Sequence, residues 1–192
     1  MNASSEENRL AVNGMSYSDR AGKNANSAII VSVTPEDFKN QGPLAGIEFQ
    51  RELEHNAWRV GSGNIPVQKY GEFSNGGTKG RISADFMPCM QGEWTFADVA
   101  SILPASLRDS FIEGMEHFGH IIPGYDDENA LVSGIESRTS SPVRIHRDEN
   151  FQSNIRGVYP CGEGAGYAGG ITSAAMDGVR IAEIIAAEYA PF

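Results

Sequence analysis

Five glycines within nine residues, 162–170, give this chain its strongest chemical signal. The stretch 158–185 reads VYPCGEGAGYAGGITSAAMDGVRIAEII, a short apolar run, a glycine loop and then a pattern typical of an amphipathic helix. Glycine has no Cβ and takes positive φ readily, so such a loop lets a ligand lie against the main chain. The first N–H groups of the helix would point at the same place. We therefore expect a strand, a loop and a helix that bind an anionic or electron-rich ligand; the structural alternative is a turn that only packs the helix on the strand.

Gly164, Gly166 and Gly169 match the spacing G-x-G-x-x-G, but the match does not predict a dinucleotide fingerprint. That fingerprint requires a second parallel strand after the helix and an acidic residue about 20 positions on, at the end of that strand. Glu188 has roughly this spacing, but it falls within the predicted helix, and Phe192 is the last residue. We expect the loop to close a cofactor site whose main nucleotide-binding unit lies elsewhere.

The composition argues against several functional classes. A formal net charge of −10 disfavours nucleic-acid binding, which needs a basic surface. No apolar run approaches the roughly 18 residues of a membrane span, and the polar start lacks a signal-peptide pattern, so no membrane contact is expected. The two cysteines, Cys89 and Cys161, are far apart, which predicts a reducing, cytoplasmic location and, for Cys161, a small buried residue rather than a reactive thiol. The scattered histidines predict no metal site.

The elements that would position the loop follow from apolar periodicity. Alternation and β-branched runs predict strands, and apolar residues at helical spacing predict helices. Residues 61–92 are punctuated by glycines, which favours loops, short strands and a mobile lid. The predicted strands cover 9–13, 28–33, 130–137 and 142–147, with 28–33 buried on both faces. The predicted helical regions are a start at Thr34-Pro35, a helix from Pro43 to about Val60 with Leu44, Ile47, Leu53 and Trp58 inward, and 95–122 with Leu107, Phe111, Met115 and Phe118 in the core.

Four stretches carry a resemblance to a known family. They are NGMSYSDRAGKNANSAIIVSV (13–33), PLAGIEFQRELE (43–54), GIESRTSSPVRIHRD (134–148) and GVYPCGEGAGYAGGITSAAMDGVRIAE (157–183). In this order they resemble the C-terminal half of bacterial FAD-dependent dehydrogenases of largely uncharacterised activity, relatives of the two-dinucleotide-fold flavoproteins. In that family an N-terminal glycine motif binds the ADP half of FAD, and no such motif occurs near residue 1. The resemblance implies a fragment of a longer flavoprotein.

The resemblance also implies a domain organisation. The fold class would be α/β, or α+β as a fragment, with part of an FAD/NAD(P)-binding domain interrupted by an inserted substrate-type domain. Residues 1–33 and 148–192 would belong to the FAD-binding domain, and residues 34–147 to the insertion. FAD is expected for the full-length protein and not for this chain alone. The expected partners are the missing N-terminal FAD-binding half and an unknown small-molecule substrate.

The resemblance and the chemistry of flavins together suggest the cofactor-binding residues. Reduction places negative charge near N1 and O2 of the flavin ring, which a helix N-terminus stabilises without a formal cation. The backbone of the predicted first turn would do this, and the Glu163 carboxylate would accept a ribityl hydroxyl; Asp177 is expected on the helix surface. The predicted cofactor-binding set is Gly162, Glu163, Gly164, Ala165, Gly166, Gly169, Gly170, Ile171 and Thr172.

A second polar cluster surrounds a proline corner. Two arginines and three hydroxyls there suit a carboxylate or phosphate oxygen. They suit equally well structural ion pairs with Glu136 and Asp148. The cluster consists of Arg138, Thr139, Ser140, Ser141 and Arg144. No catalytic acid or base stands out among Tyr17, His120, His146 and Tyr167, and a donor-rich stretch at 13–26 either faces substrate or builds turns.

Two functions of different classes remain open at this point. The first is a C-terminal fragment of an FAD-dependent oxidoreductase that is inactive alone because the ADP-binding half is missing. The second is a self-contained, non-enzymatic module that binds a nucleotide or small anion through the glycine loop. The colour of the purified chain and its titration with nucleotides separate the two.

Overall fold

The structure is a computed structural model in which the chain forms two compact units. It describes residues 2–3, 6–38, 42–77 and 87–189. The first unit consists of Met1–Thr34 and Gln50–Ser137, and the second of Pro35–Phe49 and Arg138–Phe192. The predicted domain boundaries at residues 33 and 147 refer to the domains of a full-length flavoprotein. The two compact units divide this chain alone and do not test those boundaries, which stay a prediction.

Short strands build two small sheets in the first unit. Strands β1 (Asn2–Ala3) and β2 (Ala11–Val12) pair antiparallel. The second sheet has the order β4-β3-β5, where β3 is Ile65–Lys69, β4 is Trp94–Phe96 and β5 is Leu131–Ser133. Strand β3 runs parallel to β4 and antiparallel to β5. As the central strand it is buried along almost its whole length, as expected for a strand with neighbours on both edges.

The helices largely follow the predicted pattern. Helix α1 spans Ala45–Gly61, which confirms the helix predicted from Pro43 to about Val60. Its fully buried apolar side chains recur every four residues, which places them on one face: Ala45, Phe49, Leu53 and Ala57. Leu44 precedes the helix and is 58% exposed, so its predicted inward position is wrong. A single 3-10 turn, Pro35–Asp37, follows the predicted helix start at Thr34.

The apolar core of the first unit gathers around two further helices. Helix α2 (Tyr70–Asn75) directly follows β3, and helix α3 (Ala105–Ile121) follows a 3-10 turn at Val99–Ile102. The rings of Phe73 and Phe111 pack with centroids 5.0 Å apart. The buried cluster contains Leu10, Ala57, Tyr70, Phe73, Val99, Ala100, Ile102 and Met115. Core packing predicted for the 95–122 stripe is confirmed for Leu107 and Met115, whereas Phe118 is exposed.

Residues 28–33 do not form the predicted strand. The segment has no strand partner in the described part of the chain, and Ile30 is 74% exposed. A β-strand needs a neighbour for its backbone N–H and C=O groups, and the apolar run alone does not supply one. The alternation of the run is nevertheless kept, because Ile29 and Val31 are half-buried between exposed neighbours.

The second unit is mostly irregular apart from one long helix. Helix α4 spans Ile171–Tyr189, as the amphipathic pattern predicts. The strands predicted at 142–147 and before the glycine loop at 158–161 are absent. Residues 142–147 instead bond to the loop, through Ile145 N–H to the Ala165 carbonyl at 3.1 Å. A loop partner satisfies such a segment without a strand ladder.

The described residues form a mixed α/β structure, which confirms the predicted class in its coarse form. The interrupted FAD-binding domain within it stays a prediction. The glycine-rich region 61–92 contains β3, α2 and loops, and its residues 78–86 lie outside the described part. No helix among the described residues is both long enough and apolar enough to cross a bilayer.

Candidate functional site

The glycine loop folds back on itself as a series of tight turns. Gly162 and Gly166 have φ of 68° and 81°, the left-handed region that favours glycine. Gly166 N–H donates to the Glu163 carbonyl at 2.8 Å, and Tyr167 N–H donates to the Gly162 carbonyl at 3.0 Å. Ala165 is the buried residue of the loop. Two of the glycines therefore serve the shape of the loop rather than a ligand.

The structure brings the two predicted clusters together. Ser141 Oγ donates to the Gly164 carbonyl at 3.2 Å. At Gly166 a Cβ would lie 2.4 Å from the Val143 carbonyl oxygen, so only glycine permits this approach. Ser140 lies near Gly169, because a Cβ built on Gly169 would be 4.0 Å from the Ser140 Cβ. The glycine loop and residues 139–144 thus form one surface of the second unit.

A partly buried ion pair anchors the loop to α4. Arg147 contacts the Asp177 carboxylate in a bidentate manner at 2.8 and 2.9 Å, with the two side chains 11% and 14% exposed. The same carboxylate accepts the Gly162 N–H at 2.9 Å, and Arg147 also donates to the Pro160 carbonyl at 2.9 Å. Four groups from three segments therefore meet at one point, and the orientation of the loop on the helix is fixed there.

The ion pair shifts the pKa values of both partners. Hydrogen bonds from Arg147, and secondly from Gly162 N–H, lower the pKa of Asp177 from 3.8 to about 2. The hydrogen bond to Asp177 raises the pKa of Arg147. The prediction of Asp177 as a helix surface residue is wrong. Its four-residue spacing from Ile181, the one fully buried residue among the described part of α4, is the signal that would have placed it on the inner face.

Aromatic rings cover the arginines of the site. The Arg147 guanidinium lies 3.6 Å from the centroid of the Tyr167 ring, and that of Arg144 lies 4.5 Å from the same centroid. Phe151 contacts Arg147 from another side at 4.7 Å. The Tyr167 hydroxyl donates to the Ile145 carbonyl at 3.0 Å. Tyr167 thus has a structural role in holding the two arginines beside the loop.

The N-terminus of α4 presents backbone donors to solvent. Gly170 N–H bonds to Ser173 Oγ at 3.2 Å, and Ala174 N–H bonds to the Gly170 carbonyl at 2.9 Å. Among the described residues, no acceptor is found for the N–H groups of Gly169, Ile171 or Thr172, and all three residues are exposed. The first turn of a helix leaves such donors unpaired, and the helix dipole makes them favour negative charge.

The remaining predicted ligand-binding residues are mostly exposed. Glu163 is exposed, as are Thr139 and Ser140. Arg144 is exposed and makes no ion pair with the described acidic groups, so its predicted structural pairing is not found. The Ser141 hydroxyl is occupied by main-chain carbonyls, because its Oγ lies 2.9 Å from the Val143 oxygen and 3.2 Å from the Gly164 oxygen. Arg138 is exposed and lies at the start of the segment.

The cysteine and the candidate acid–base residues lie as follows in the structure. Cys161 is exposed, so the expectation of a small buried residue is wrong. The reason is that its neighbour Pro160, not Cys161, is buried at the Arg147 contact. Tyr17 and His120 belong to the first unit, while His146 and Tyr167 belong to the second. The part of the chain that the structure describes contains no group of three or more metal-ligating side chains.

Comparison with known proteins gives a family. Residues 1–139 match the model of the family described as "FAD-dependent protein, C-terminal domain-like". This chain belongs to that family. An uncharacterised protein of Clostridium beijerinckii is 46% identical over 193 residues, which cover 97% of this chain and 36% of that relative. The chain therefore spans about a third of the length of the Clostridium beijerinckii relative. The family match confirms the predicted resemblance to the C-terminal portion of FAD-dependent proteins.

The two comparisons cover the site to different extents. The FAD-dependent family model ends at residue 139, ahead of the glycine loop and α4. The Clostridium relative matches almost all of this chain and so extends beyond that boundary. FAD is thereby supported as the cofactor of the full-length protein, and the site in the second unit has to be argued from its own geometry.

Proposed function

We propose that this chain is the C-terminal part of a longer FAD-dependent oxidoreductase, and that its glycine loop and the N-terminus of α4 bind the flavin and ribityl side of FAD. The observation that carries this proposal is the set of exposed N–H groups at Gly169, Ile171 and Thr172, which have no acceptor in the described part of the chain. FAD supplies the electron transfer when it is bound. The residues of this chain bind and orient it.

The donor set suits an electron-rich ring edge. Unpaired N–H groups and the positive end of the helix dipole stabilise partial or full negative charge at the first turn. A Cβ built on Gly164 meets no atom within 4 Å, so the main chain is open to a ligand at that point. The exposed Glu163 carboxylate accepts hydrogen bonds, which suits a ribityl hydroxyl.

The ion pair of Arg147 and Asp177 supports this role indirectly. It uses the Gly162 N–H and fixes the loop on α4, but it leaves the donors of the first helical turn open. A binding site whose donors are already oriented loses less conformational entropy when its ligand arrives. The loop is thus suited to bind a cofactor without rearrangement.

The experiment compares two substitutions at Ile171, the first residue of α4. Proline is favoured at this position of a helix and lacks the N–H, so Ile171→Pro removes one donor and keeps the helix. Ile171→Ala is the matched control, because it removes the same side chain, which is 94% exposed in this chain, and keeps the N–H. Both are placed in the long form, defined as the Clostridium beijerinckii relative with its matched region replaced by this chain.

FAD affinity is measured by quenching of flavin fluorescence. We expect the unmodified long form to be yellow and the isolated chain to be colourless. Loss of one donor to a charged or polarised acceptor costs about 1.5 kcal/mol, so Ile171→Pro should bind FAD about tenfold more weakly than Ile171→Ala. Equal affinities for the two variants would contradict the role of the N–H group. A stable yellow isolated chain would contradict its dependence on the rest of the protein.

One observation favours the alternative, a self-contained module that binds a nucleotide or anion. Arg144 is exposed and has no acidic partner among the described residues, and Thr139 and Ser140 of the same segment are also exposed. Calorimetric titration of the isolated chain with FAD, ADP and NAD tests this function. Micromolar binding of one nucleotide, weakened in Arg144→Gln and kept in the exposed control Arg156→Gln, would favour the module over the fragment.

A further inference from the structure

We infer that the exposed apolar face of α4 is the surface on which the remainder of the longer polypeptide packs. This outer face consists of Ile171, Ala175, Val179, Ala182 and Ala186. The inference rests on the part of the proposed function that makes this chain a segment of a longer protein. It does not depend on FAD binding.

The outer face is a continuous apolar stripe along the helix. Its members are spaced by three or four residues, so they lie above one another on one side. All five are exposed, with Ile171 and Val179 at 94% and 59%. Scattered exposed apolar residues are ordinary, but a stripe that runs the length of a helix is typical of an interface.

The opposite side of α4 already has its partner. Ile181 is buried there and Asp177 is bound by Arg147 within the second unit. The charged side chains of Arg180 and Glu188 lie off the outer face, and Glu183, four residues after Val179, lies at its edge. A helix that is apolar on two sides is a buried helix in its complete surroundings. One of the two sides of α4 is therefore left without its neighbour.

The length of the relative indicates what covers this face. The matched region is 36% of the Clostridium beijerinckii protein, so most of that polypeptide lies outside the region that corresponds to this chain. A second copy of this chain is the less favourable occupant, because each copy carries a net charge of −10 and two copies repel. The occupant we infer is an apolar surface of the polypeptide outside the matched region.

The side chains of the outer face suit close packing. Ala175, Ala182 and Ala186 have short side chains, so a sheet or helix can approach the backbone of α4 closely. Ile171 belongs both to this face and to the exposed first turn. Packing of the remaining polypeptide here would bring it beside the glycine loop, which is where the proposed flavin site needs its other half.

The test places a lysine at two exposed positions of α4, each four residues from Glu183. Val179→Lys lies on the outer face, and Ala187→Lys is the matched control off that face. The two lysines pair with Glu183 in opposite orientations, which changes the stability of the isolated helix by only a few tenths of a kcal/mol. Hydrogen exchange of the α4 amides is measured by mass spectrometry in the isolated chain and in the long form, both free of flavin.

We expect equal exchange for both variants and the unmodified protein in the isolated chain. In the long form α4 should exchange more slowly, and Val179→Lys should speed its exchange about tenfold or more, since a buried valine is replaced by a charge. Ala187→Lys should have no such effect. Equal exchange of α4 in the isolated chain and the long form, or equal effects of the two lysines, would overturn the inference.

Two further measurements separate the other outcomes. If light scattering shows a dimer of the isolated chain that Val179→Lys dissociates, the occupant is a second copy and the inference is wrong. If the long form does not fold, hydrogen exchange is measured on the full-length relative. The inference would also be overturned if the helix of the relative that corresponds to α4 exchanges as fast as α4 in this isolated chain. These exchange measurements use flavin-free protein, so they do not depend on FAD affinity. A long form that protects α4 but fails to bind added FAD would contradict the proposed function and leave this inference standing.

Discussion

Helices α3 and α4 are elements of the same kind with 17 and 19 residues, yet their apolar sides meet different surroundings. Helix α3 buries Leu107 and Met115 and keeps charged residues such as Glu113 and Glu116 in solvent. Helix α4 buries Ile181 and leaves a second apolar side exposed. The difference is that α3 packs on the apolar cluster of the first unit, whereas α4 presents an outer face for which we infer a neighbour outside this chain.

The two units also differ in the interactions that stabilise each of them internally. The first has an apolar cluster, and its buried Gln68 side chain accepts from Ala100 N–H at 3.0 Å and donates to the Gly77 carbonyl at 2.8 Å. The second buries few large apolar side chains and relies on the ion pair of Arg147 and Asp177. Apolar burial does not depend on a carboxylate charge, so the first unit should tolerate acid and be destabilised by truncation of its core. The second unit should be more sensitive to acid and less sensitive to the truncation of an apolar side chain.

The largest expected effect is the truncation of a core side chain in the first unit. Phe73 is fully buried and packs on Phe111, so Phe73→Ala should lower the free energy of unfolding by about 3–5 kcal/mol. Both tryptophans of the chain, Trp58 and Trp94, lie in this unit, so tryptophan fluorescence in urea follows its unfolding. The control Ile171→Ala on α4 should leave the transition unchanged. A loss in Phe73→Ala no larger than that in Ile171→Ala would contradict the buried position of Phe73.

The fold could be predicted from the sequence where local pattern decides it. Helical periodicity fixes α1, α3 and α4, because each has an apolar stripe of its own whatever it packs against. The run 28–33 has the composition of a buried strand but no partner among the described residues, since pairing depends on a second segment. Residues 142–147 alternate like a strand and are instead held by the glycine loop.

The candidate site shows the same limit. The glycines and the first turn of α4 were predictable, because positive φ and unpaired N–H groups follow from local sequence. The ion pair of Arg147 with Asp177 joins residues 30 positions apart, and nothing local specifies it. Tyr167 was one unranked candidate for catalysis, and the structure gives it contacts with two arginines. Tertiary packing determines these contacts.

A smaller effect is expected from a methyl group added to the glycine loop. Gly166→Ala places a Cβ 2.4 Å from the Val143 carbonyl oxygen at a φ of 81°, so it should destabilise the second unit by about 2–3 kcal/mol. Gly164→Ala is the matched control, because its Cβ meets no atom within 4 Å. Hydrogen exchange of the α4 amides reports the loss. If both variants behave alike, the contact between loop and Val143 is not formed in solution.

Next in size is the loss of the buried carboxylate. Asp177→Asn leaves the Arg147 charge without its counterion, and since the pair is slightly exposed we expect a cost of about 2 kcal/mol to the second unit. Glu183→Gln makes the same chemical change at an exposed position of the same helix and should cost close to nothing. Exchange of α4 amides compares the two, and an equal effect would show that Asp177 is solvated.

The pH dependence sharpens this prediction. Folding lowers the pKa of Asp177 from 3.8 to about 2, so its stabilisation is fully present above pH 3.8 and is lost as pH falls toward 2. The shift corresponds to about 2 kcal/mol. The stability difference between the unmodified chain and Asp177→Asn should therefore shrink between about pH 5 and pH 2, measured by far-UV circular dichroism in urea. A difference that stays constant over this range would contradict the ion pair.

The smallest expected effect distinguishes ligand binding from structure in the same loop. Arg144 is exposed and its guanidinium lies over the face of Tyr167, so Arg144→Gln should lower stability by about 0.5 kcal/mol, against no change in the exposed control Arg156→Gln. Urea unfolding followed by α4 exchange measures this. A loss as large as that of Asp177→Asn would make Arg144 a second anchor of the loop. A small loss leaves its charge available, because a guanidinium that stabilises little in the folded unit is one that a phosphate or carboxylate oxygen can bind without cost to the fold.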